Sequence, residues 1–479
     1  MKLIFSHKKL LSLQDLGNNH RKFEIMEFDY VIVGSGAAGS TLANELSKDN
    51  KISIALIDIG KIRKPKRKRR FRAPFVNKCT RSYTHFISGV FGGNTELWSS
   101  KIYLLTKGEI YDWPISYKDL LENSKDLAQE LNINHEELSF HDPIDDKAFY
   151  HRAKRSTLGN LFDYFQLVKK ENITCFEEST LVDLNYDDQQ SKINHIYIEN
   201  KSSYQQKIKV NKSLILCAGG LGNLSLYKKV IEEIFGSREI PKIYPIVDHP
   251  HITIGRIKNT ALPRLNRFKD VEDCIFVNGK SNIYAFQTTA PYLGDKFFRR
   301  LESRFEDTKI SYILLFIINK FERFFLRYKR IFLILTGQID RYNTGSIEAW
   351  FEEDVNYNST VKFSDKNWFN GKLNKLDVQY KYEMPNYKDL KNELNKYTKS
   401  NLYKFNKSQL NESNIYSGLK PSCSTPMKLN PVKGEVSSEC NINGVNNLFM
   451  LGTNIYPTIG VTNPTWTLMV LSKRLSKII

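Results

Sequence analysis

The apolar positions near the start of the chain change from one period to another in a way that predicts a β-α-β unit. Residues 28–33 form a mainly apolar stretch that ends in three β-branched residues, which is typical of a buried strand. Apolar residues at helical spacing over 40–48 predict a helix, and residues 52–57 predict a second strand. We therefore expect a mixed α/β fold of the Rossmann type at this end of the chain.

The rest of the chain continues to mix the two periods, without an internal repeat. Further patterns predict helices at 117–131 and 157–170, and strands at 173–175, 181–184, 193–198, 208–210, 214–217, 346–351, 360–363 and 375–382. A strand from Leu448 and a helix from about Pro464, separated by a Pro- and Gly-rich turn, end the chain. The strand-rich region after residue 260 predicts a second, α+β part that carries an antiparallel sheet.

The turn between the first strand and the first helix has the spacing of a phosphate-binding loop. Gly34, Gly36 and Gly39 follow the pattern G-x-G-x-x-G directly after the strand. In such a turn the first glycine permits the tight bend, the second admits a pyrophosphate, and the third allows close helix–strand packing. Asp58 ends the second strand, where an acidic side chain accepts hydrogen bonds from a ribose. The unit predicts a dinucleotide site but does not distinguish NAD from FAD.

Length and charge narrow the class of protein. The chain has 479 residues, an aromatic content of 12% and a formal charge of +19. The length predicts two or three domains, and the aromatic content argues against disorder. The positive charge raises the question of a nucleic-acid or membrane partner. No nucleic-acid motif accompanies it, so we expect no nucleic-acid partner.

The six cysteines are scattered and form no metal-binding pattern. No C-x-x-C pair occurs, and no histidine is placed to complete a zinc site, so we expect no metal and a reducing compartment. The N-terminal apolar run is too short for a signal peptide. We therefore predict a soluble, cytoplasmic protein.

Two segments leave alternatives open. Residues 61–72 are strongly basic and favour a solvated loop, with binding of an anionic substrate, an acidic partner or a membrane surface as alternatives. Residues 310–335 are apolar but interrupted by charges, which excludes a membrane-spanning helix. They are compatible with a buried helix, a helix covering a substrate cavity, or a peripheral membrane contact.

Five blocks, in order along the chain, resemble the glucose–methanol–choline (GMC) family of flavin oxidoreductases. They are Gly-Gly-Asn-Thr-Glu-Leu-Trp at 92–98, Trp-Pro-Ile-Ser-Tyr at 113–117, Cys-Ala-Gly-Gly-Leu-Gly-Asn at 217–223, Asp-His-Pro at 248–250, and the C-terminal stretch 447–467. The resemblance implies non-covalently bound FAD and oxidation of an alcohol CH–OH group to a carbonyl by hydride transfer to flavin N5. It favours a dehydrogenase over an oxidase, with an electron acceptor that stays open.

The resemblance also implies roles for particular residues. It places the diphosphate at Gly34, Gly36 and Gly39, the ribose at Asp58, and the flavin and the rest of the cofactor at Gly93, Asn94, Thr95, Leu181, Gly452 and Thr462. Asn463 matches the second active-site position of the family, where a buried amide can hydrogen-bond a substrate hydroxyl. The block ending in Trp98 is similar to the sugar-oxidising branch, so we expect a sugar or polyol as substrate.

The same resemblance predicts a discontinuous domain organisation. We expect an FAD-binding domain built from residues 27–110, 160–258 and 432–479. The substrate-binding domain would take 111–159 and 259–431, and residues 1–26 would be an N-terminal extension.

The first active-site position departs from the family. Lys420 stands where the resemblance implies a histidine, and the last histidine of the chain is His251. Hydride loss from an alcohol requires a base for the hydroxyl proton, and lysine, with an ordinary pKa near 10.4, is usually protonated. Burial can lower a lysine pKa enough for it to act as a base. Alternatively, a cationic Lys420 stabilises a developing alkoxide.

Two further interpretations follow from this departure. A flavoprotein of the same fold with non-standard or lost chemistry is the alternative to an active alcohol oxidoreductase. His249, in the Asp-His-Pro block, is interpreted as part of a structural turn, because the resemblance places the proton-transfer pair elsewhere.

Overall fold

A computed structural model gives the fold of the chain. It describes residues 10–11, 25–62, 71–79, 86–98, 100–135, 142–143, 148–152, 154–155, 158–258, 273–278, 283–289, 344–353, 355, 357–382, 386–397, 403–405, 415–416 and 420–479.

The strands of these residues are β1 (Leu10–Leu11), β2 (Met26–Val33), β3 (Ile54–Ile57), β4 (Phe71–Arg72), β5 (Val76–Cys79), β6 (Phe86–Ile87), β7 (Lys101–Ile102), β8 (Asp142–Pro143), β9 (Ala148–Arg152), β10 (Lys154–Arg155), β11 (Ile173–Phe176), β12 (Ser179–Asp187), β13 (Lys192–Asn200), β14 (Gln205–Leu216), β15 (Ile243–Pro245), β16 (His251–Lys258), β17 (Asp273–Asn278), β18 (Ile283–Thr289), β19 (Thr344–Phe351), β20 (Thr360–Trp368), β21 (Leu373–Gln379), β22 (Tyr403–Phe405), β23 (Ile415–Tyr416) and β24 (Leu448–Met450). The helices are α1 (Ala37–Leu46), α2 (Tyr117–Glu130), α3 (Leu161–Tyr164), α4 (Gly220–Phe235), α5 (Tyr387–Tyr397) and α6 (Thr465–Ile478).

One of the two eight-stranded sheets of the described residues is mixed and contains the predicted β-α-β unit. Its order is β1-β11-β3-β2-β14-β13-β12, and β24 also pairs with β14. Within this sheet, β1, β11, β3, β2, β14 and β24 run parallel to one another. β12, β13 and β14 form an antiparallel meander. β2 and β3 are adjacent, with α1 between them in sequence. The mixed α/β architecture is confirmed.

Besides the two-stranded sheets β10-β7 and β4-β6, two larger sheets of the described residues lie outside this layer. One is antiparallel, with the order β22-β16-β19-β18-β17-β9-β8 and with β23 paired to β16. The other has the order β15-β20-β21-β5. β16, which the predicted boundary at residue 258 assigns to the first domain, pairs with β19 in the antiparallel sheet.

The C-terminal helix packs against helices of the N-terminal half of the chain. α6 buries Trp466, Met469 and Leu471 completely, and the Trp466 Nε1–H donates to Ser124 Oγ of α2 at 2.9 Å. Lys473 of α6 forms ion pairs with Glu45 of α1 and with Glu130 of α2. Burial of this apolar face fixes the C-terminal helix, and therefore the turn that precedes it, against the N-terminal unit.

Several elements differ from the sequence prediction. The helix expected at 157–170 is only α3 followed by a short 3-10 turn at Leu167–Lys169, because Gln166 takes a left-handed conformation with φ +51°. α4 and α5 were not predicted, since the Gly-Gly-Leu-Gly start of α4 resembles a turn. Residues 63–70 of the basic run and all of 310–335 lie outside the described residues. Among the described helices, none is long and apolar enough to cross a bilayer.

Candidate functional site

The three glycines of the first turn differ in what a side chain at each position would meet. Gly34 adopts φ +109°, and a Cβ there would lie 2.4 Å from the Cys217 carbonyl oxygen. A Cβ on Gly39 would lie 1.8 Å from the Gly34 carbonyl oxygen, so α1 packs directly on the turn. A Cβ on Gly36, in contrast, would meet no atom within 4 Å. Gly36 therefore leaves open space at the start of α1, where unpaired N–H groups face outward.

Asp58 holds this turn in place through Ser35. Its Oδ2 accepts hydrogen bonds from the Ser35 backbone N–H and hydroxyl, both at 2.7 Å, and its Oδ1 accepts from Gly60 N–H at 2.7 Å. Burial raises the pKa of the Asp58 carboxyl, and these hydrogen bonds oppose the shift. Oδ1 accepts one bond from these donors, which leaves it a lone pair suited to a ribose hydroxyl.

The second glycine-rich loop rests on the first. The Gly92 N–H donates to Ser35 Oγ at 2.8 Å, and a Cβ on Gly93 would lie 3.2 Å from Gly36 Cα. The Thr95 hydroxyl donates to the Gly92 carbonyl at 2.5 Å and closes the loop. The two loops, which are separated by more than fifty residues in sequence, therefore form one surface.

A cavity of about 650 Å³ lies along this surface and continues to the second predicted site. The predicted residues that line it are Gly34, Gly36, Asp58, Gly93, Asn94, Thr95, Lys420 and Asn463. The predicted residues that do not line it are Gly39, Leu181, Gly452 and Thr462, and each of them lies next in sequence to a residue that does: Ala38, Thr180, Leu451 and Thr453, or Asn463. The size is in the range of small-molecule and cofactor sites.

Lys420 and Asn463 meet at the far part of the cavity. The Lys420 Nζ donates a hydrogen bond to Asn463 Oδ1 and lies 5.0 Å from the centre of the Trp350 ring. The Lys420 backbone N–H donates to Asp248 Oδ1 at 2.9 Å. The lysine that replaces the expected histidine therefore borders the cavity instead of pointing into solvent.

His249 lies directly beside this lysine, which the sequence did not predict. Its ring is fully buried, with Nδ1 3.3 Å from Lys420 Nζ and Nε2 3.2 Å from the Ile459 carbonyl oxygen. Burial, followed by the charge of Lys420, holds the pKa of His249 well below its ordinary value, so the ring is neutral at physiological pH. The Asp-His-Pro turn is thus both a structural turn and part of the candidate active site.

Trp350 closes this part of the cavity from the antiparallel sheet. It lies in β19, and its ring stacks on His251 with a centroid separation of 4.7 Å and an interplanar angle of 14°. The cation–π contact with Lys420 joins the parallel and antiparallel layers at the cavity. An aromatic wall of this kind suits a flat or apolar group of a ligand.

Glu109 is a buried carboxylate that orders the turn before Asn463. Its Oε1 accepts from the backbone N–H groups of Val461 at 2.8 Å and Thr462 at 2.9 Å, and its Oε2 accepts from Thr106 N–H at 2.7 Å. Burial raises the pKa of Glu109, and these hydrogen bonds oppose the shift. Glu109 therefore fixes the backbone from which the Asn463 side chain extends.

The sequence carried a signal for only some of these residues. For His249 a signal existed, because it belongs to the Asp-His-Pro block that resembles the family. Nothing in the sequence indicates that Trp350 lines the cavity or that Glu109 binds the turn before Asn463, because both belong to segments that carry no motif of their own. Among the described residues, no group of acidic, histidine or cysteine side chains is arranged to hold a metal.

Comparisons with known proteins agree with this architecture. No protein-family model matches the chain. An oxygen-dependent choline dehydrogenase of Pseudomonas entomophila (strain L48) is 53% identical over 34 residues, which cover 7% of this chain and only 6% of that relative.

Solved structures match over nearly the whole chain. Pyridoxine 4-oxidase from Mesorbium loti superposes with a TM-score of 0.58 at 11% identity, covering 94% of this chain and 99% of its own. A variant of formate oxidase from Aspergillus oryzae RIB40 gives a TM-score of 0.56 at 11% identity, covering 95% and 98%. The predicted resemblance is confirmed as a likeness in fold: the chain has the fold of the GMC flavoenzymes.

Proposed function

We propose that this protein binds FAD and oxidises the CH–OH group of a small alcohol to a carbonyl. The observation that carries the proposal is the continuous cavity, which joins the open turn at Gly36 to the Lys420–Asn463 pair. A cofactor bound at the turn would thereby extend toward Lys420, whose amine can accept a proton from an alcohol, and toward Asn463, whose amide can hydrogen-bond the alcohol oxygen. The fold shared with flavin oxidases supports the same cofactor.

The residues present fit the diphosphate and ribose of FAD. The start of α1 combines free N–H groups with a glycine whose missing side chain leaves room for a phosphate. Asp58 keeps an acceptor lone pair beside this space, and Ser179 and Thr180 line the cavity next to Leu181. Gly93, Asn94 and Thr95 would lie along the flavin.

At the other end, the chemistry requires a proton acceptor. FAD, when bound, would supply the acceptor for the hydride and its two electrons, and the hydroxyl proton would pass to the chain. Lys420 in its amine form accepts that proton and becomes an ammonium, which leaves the substrate as a carbonyl compound. Asn463, whose Oδ1 accepts from Lys420, keeps its amide N–H₂ to donate to the substrate oxygen.

The substrate class follows from the wall of the cavity and the branch-like loop. Trp98 and Trp350 both line the cavity. Aromatic faces of this kind pack against the C–H faces of sugar rings, and the Trp98 loop resembles the sugar-oxidising branch. A sugar or polyol is therefore the first substrate to test.

The domain division is part of the same proposal. Residues 27–110, 160–258 and 432–479 would form the FAD domain, with the remaining segments from 111 onward forming the substrate domain. The pairing of β2, β3, β11, β14 and β24 in one sheet supports the first assignment. The antiparallel sheet supports the second.

The experiment has two steps. The visible absorption spectrum of the purified protein tests flavin binding, and a colourless protein that also fails to take up added FAD would contradict the proposal. Anaerobic mixing with a panel of sugars, polyols and simple alcohols then tests reduction. A yellow protein that none of these reduces would favour a fold-sharing flavoprotein without alcohol oxidation. Reoxidation by oxygen and by a quinone, measured in parallel, separates an oxidase from a dehydrogenase.

A further inference from the structure

The His249 ring offers Lys420 a single, defined contact. The Ile459 carbonyl oxygen can only accept, so the His249 Nε2 that lies 3.2 Å from it carries the proton. The neutral ring then has its lone pair on Nδ1, which lies 3.3 Å from Lys420 Nζ. His249 is therefore an acceptor toward the lysine and not a competing donor.

Two acceptors consequently hold the same nitrogen. Asn463 Oδ1 takes one N–H of Lys420, and His249 Nδ1 takes another. A primary amine has two N–H bonds and one lone pair, so an amine that donates both N–H bonds to these two acceptors directs its lone pair away from them. Lys420 also borders the cavity, so a fixed direction matters for a substrate bound there.

We propose that His249 is a positioning residue that orients Lys420 for proton transfer with the substrate hydroxyl. It acts through Lys420, since it does not line the cavity. This inference rests on the proposed function for its catalytic consequence, although the Lys420–His249 contact itself does not. An imidazole thus serves the proton-accepting group from a chain position 171 residues away from it.

Other titratable groups around His249 come from every neighbouring segment. Asp248 accepts from the backbone N–H groups of His249 and Lys420 and from the Tyr382 hydroxyl. His251 follows in β16 and lowers the pKa of His249 further. Both variants at 249 leave these groups in the sequence, so a difference in Lys420 reactivity between the two variants reports on the contact at Nδ1.

A matched pair of variants separates positioning from packing. His249→Gln places its amide near the position of Nε2, and so keeps a donor for Ile459 while losing the acceptor at Nδ1. His249→Asn places its amide near Nδ1, and so keeps an acceptor for Lys420 while losing the Ile459 contact. The readout is competitive acetylation of Lys420 by acetic anhydride over a range of pH, quantified by peptide mass spectrometry on the purified full-length protein.

The positioning role predicts opposite results for the two variants. An acceptor stabilises the ammonium more than the amine, so His249→Gln should raise Lys420 acetylation at a fixed pH by about tenfold, the equivalent of about 1.4 kcal/mol. His249→Asn should stay within about twofold of the wild type. Equal acetylation in wild type and His249→Gln, or equal changes in both variants that follow their melting temperatures, would overturn the proposal.

Two further measurements keep the test decisive. If neither variant folds, the ¹⁵N chemical shifts of His249 in the wild type should show a protonated Nε2 and a hydrogen-bonded, unprotonated Nδ1, and Lys420→Met should move the Nδ1 signal. An Nδ1 signal that does not respond would contradict the contact. Acetylation and NMR need neither flavin nor substrate, so a colourless protein would contradict the proposed function while leaving this inference testable. In a reducible enzyme, His249→Gln should also move the acid limb of the reduction rate to lower pH.

Discussion

The two ends of the cavity are built in different ways. At the glycine end, the backbone of the glycines forms much of the surface, and the hydrogen bonds of Ser35 span fewer residues: Ser35 reaches Asp58 over 23 residues and Gly92 over 57. At the lysine end, side chains form the surface, and the contacts are long: Lys420 reaches His249 over 171 residues, and Glu109 reaches Val461 over 352.

This difference has a physical consequence. A backbone surface depends on where glycine is required, so it tolerates few substitutions and leaves a local pattern in the sequence. A side-chain surface depends on which groups meet, and a group can be replaced if its neighbours also change. The lysine end, where Lys420 stands at the position for which the resemblance implies a histidine and His249 approaches from another segment, is of the second kind.

The largest expected effect is at the lysine end. Lys420→Met removes the nitrogen but keeps most of the side-chain volume, so flavin reduction by an accepted substrate should slow by roughly 10²–10⁴-fold. The flavin should remain bound, since the glycine end is untouched. Stopped-flow absorbance under anaerobic conditions measures the rate, and the spectrum before mixing measures bound flavin.

Two controls sharpen this test. Lys420→Arg keeps a cation that stays protonated, so it should be as slow as Lys420→Met if the lysine is a base. Recovery of most of the rate by arginine would instead assign Lys420 to charge stabilisation alone. Lys242→Met, at an exposed lysine away from the cavity, should leave the rate unchanged.

At the glycine end, two single-methyl substitutions should have different outcomes. Gly36→Ala adds a Cβ that meets no protein atom, so the fold should keep its stability while FAD binding weakens by at least about tenfold. Gly39→Ala adds a Cβ 1.8 Å from a carbonyl oxygen, so it should destabilise the fold by about 3 kcal/mol or more. Flavin titration and thermal unfolding of the same samples separate the two effects.

The reverse pattern would be informative. A Gly36→Ala protein that binds FAD as tightly as the wild type would show that no phosphate approaches this turn. A Gly39→Ala protein of full stability would show that α1 can move away from the strand.

A smaller effect tests how Asn463 is held. Glu109→Gln replaces one carboxylate oxygen by an N–H₂ group that faces backbone donors, so it should destabilise the protein by about 1–3 kcal/mol. It should also reduce the reduction rate without changing the amount of bound flavin. Glu122→Gln, at an exposed glutamate of α2, is the control and should change stability by less than about 0.5 kcal/mol. Equal effects of the two variants would contradict the role of Glu109 in fixing the turn before Asn463.

The smallest expected effect is a pH dependence of stability. The folded state raises the pKa of Glu109, so it binds the proton more tightly than the unfolded chain does. Stability from this group is therefore complete below the ordinary glutamate pKa and is lost as the pH rises through the raised value. Asp58, whose pKa is also raised, contributes with the same sign.

This dependence is measured as a difference. Urea unfolding from about pH 4 to about pH 8 gives the free energy of unfolding of the wild type and of Glu109→Gln. The difference between the two free energies should decrease as the pH rises, because only the wild type loses this stabilisation. A difference that is constant over the range would mean that Glu109 has the same proton affinity in both states.

The same contrast explains what the sequence could and could not predict. The β-α-β unit, the glycine turn and the C-terminal helix follow from local periodicity and conformational requirements, and they are found within a few residues of their predicted bounds. α4 was missed because its glycine-rich start resembles a turn, and the helix at 157–170 was overpredicted because a single left-handed residue interrupts it. The contacts of His249, Trp350 and Glu109 depend on how distant segments fold together, and no local pattern records that.

One contact described above bears on how the active site can be redesigned. The Asp248 carboxylate accepts a hydrogen bond from the backbone N–H of residue 420, a group that every residue except proline possesses. The carboxylate therefore supports the chain at this position whichever side chain it carries. Position 420 should therefore tolerate a different side chain. Lys420→His should fold and should place an imidazole against Asn463 and Trp350. Exchange of lysine for histidine at this one position would change the pKa of the proposed proton acceptor, and with it the pH range of the proposed reaction, while the rest of the cavity stays the same.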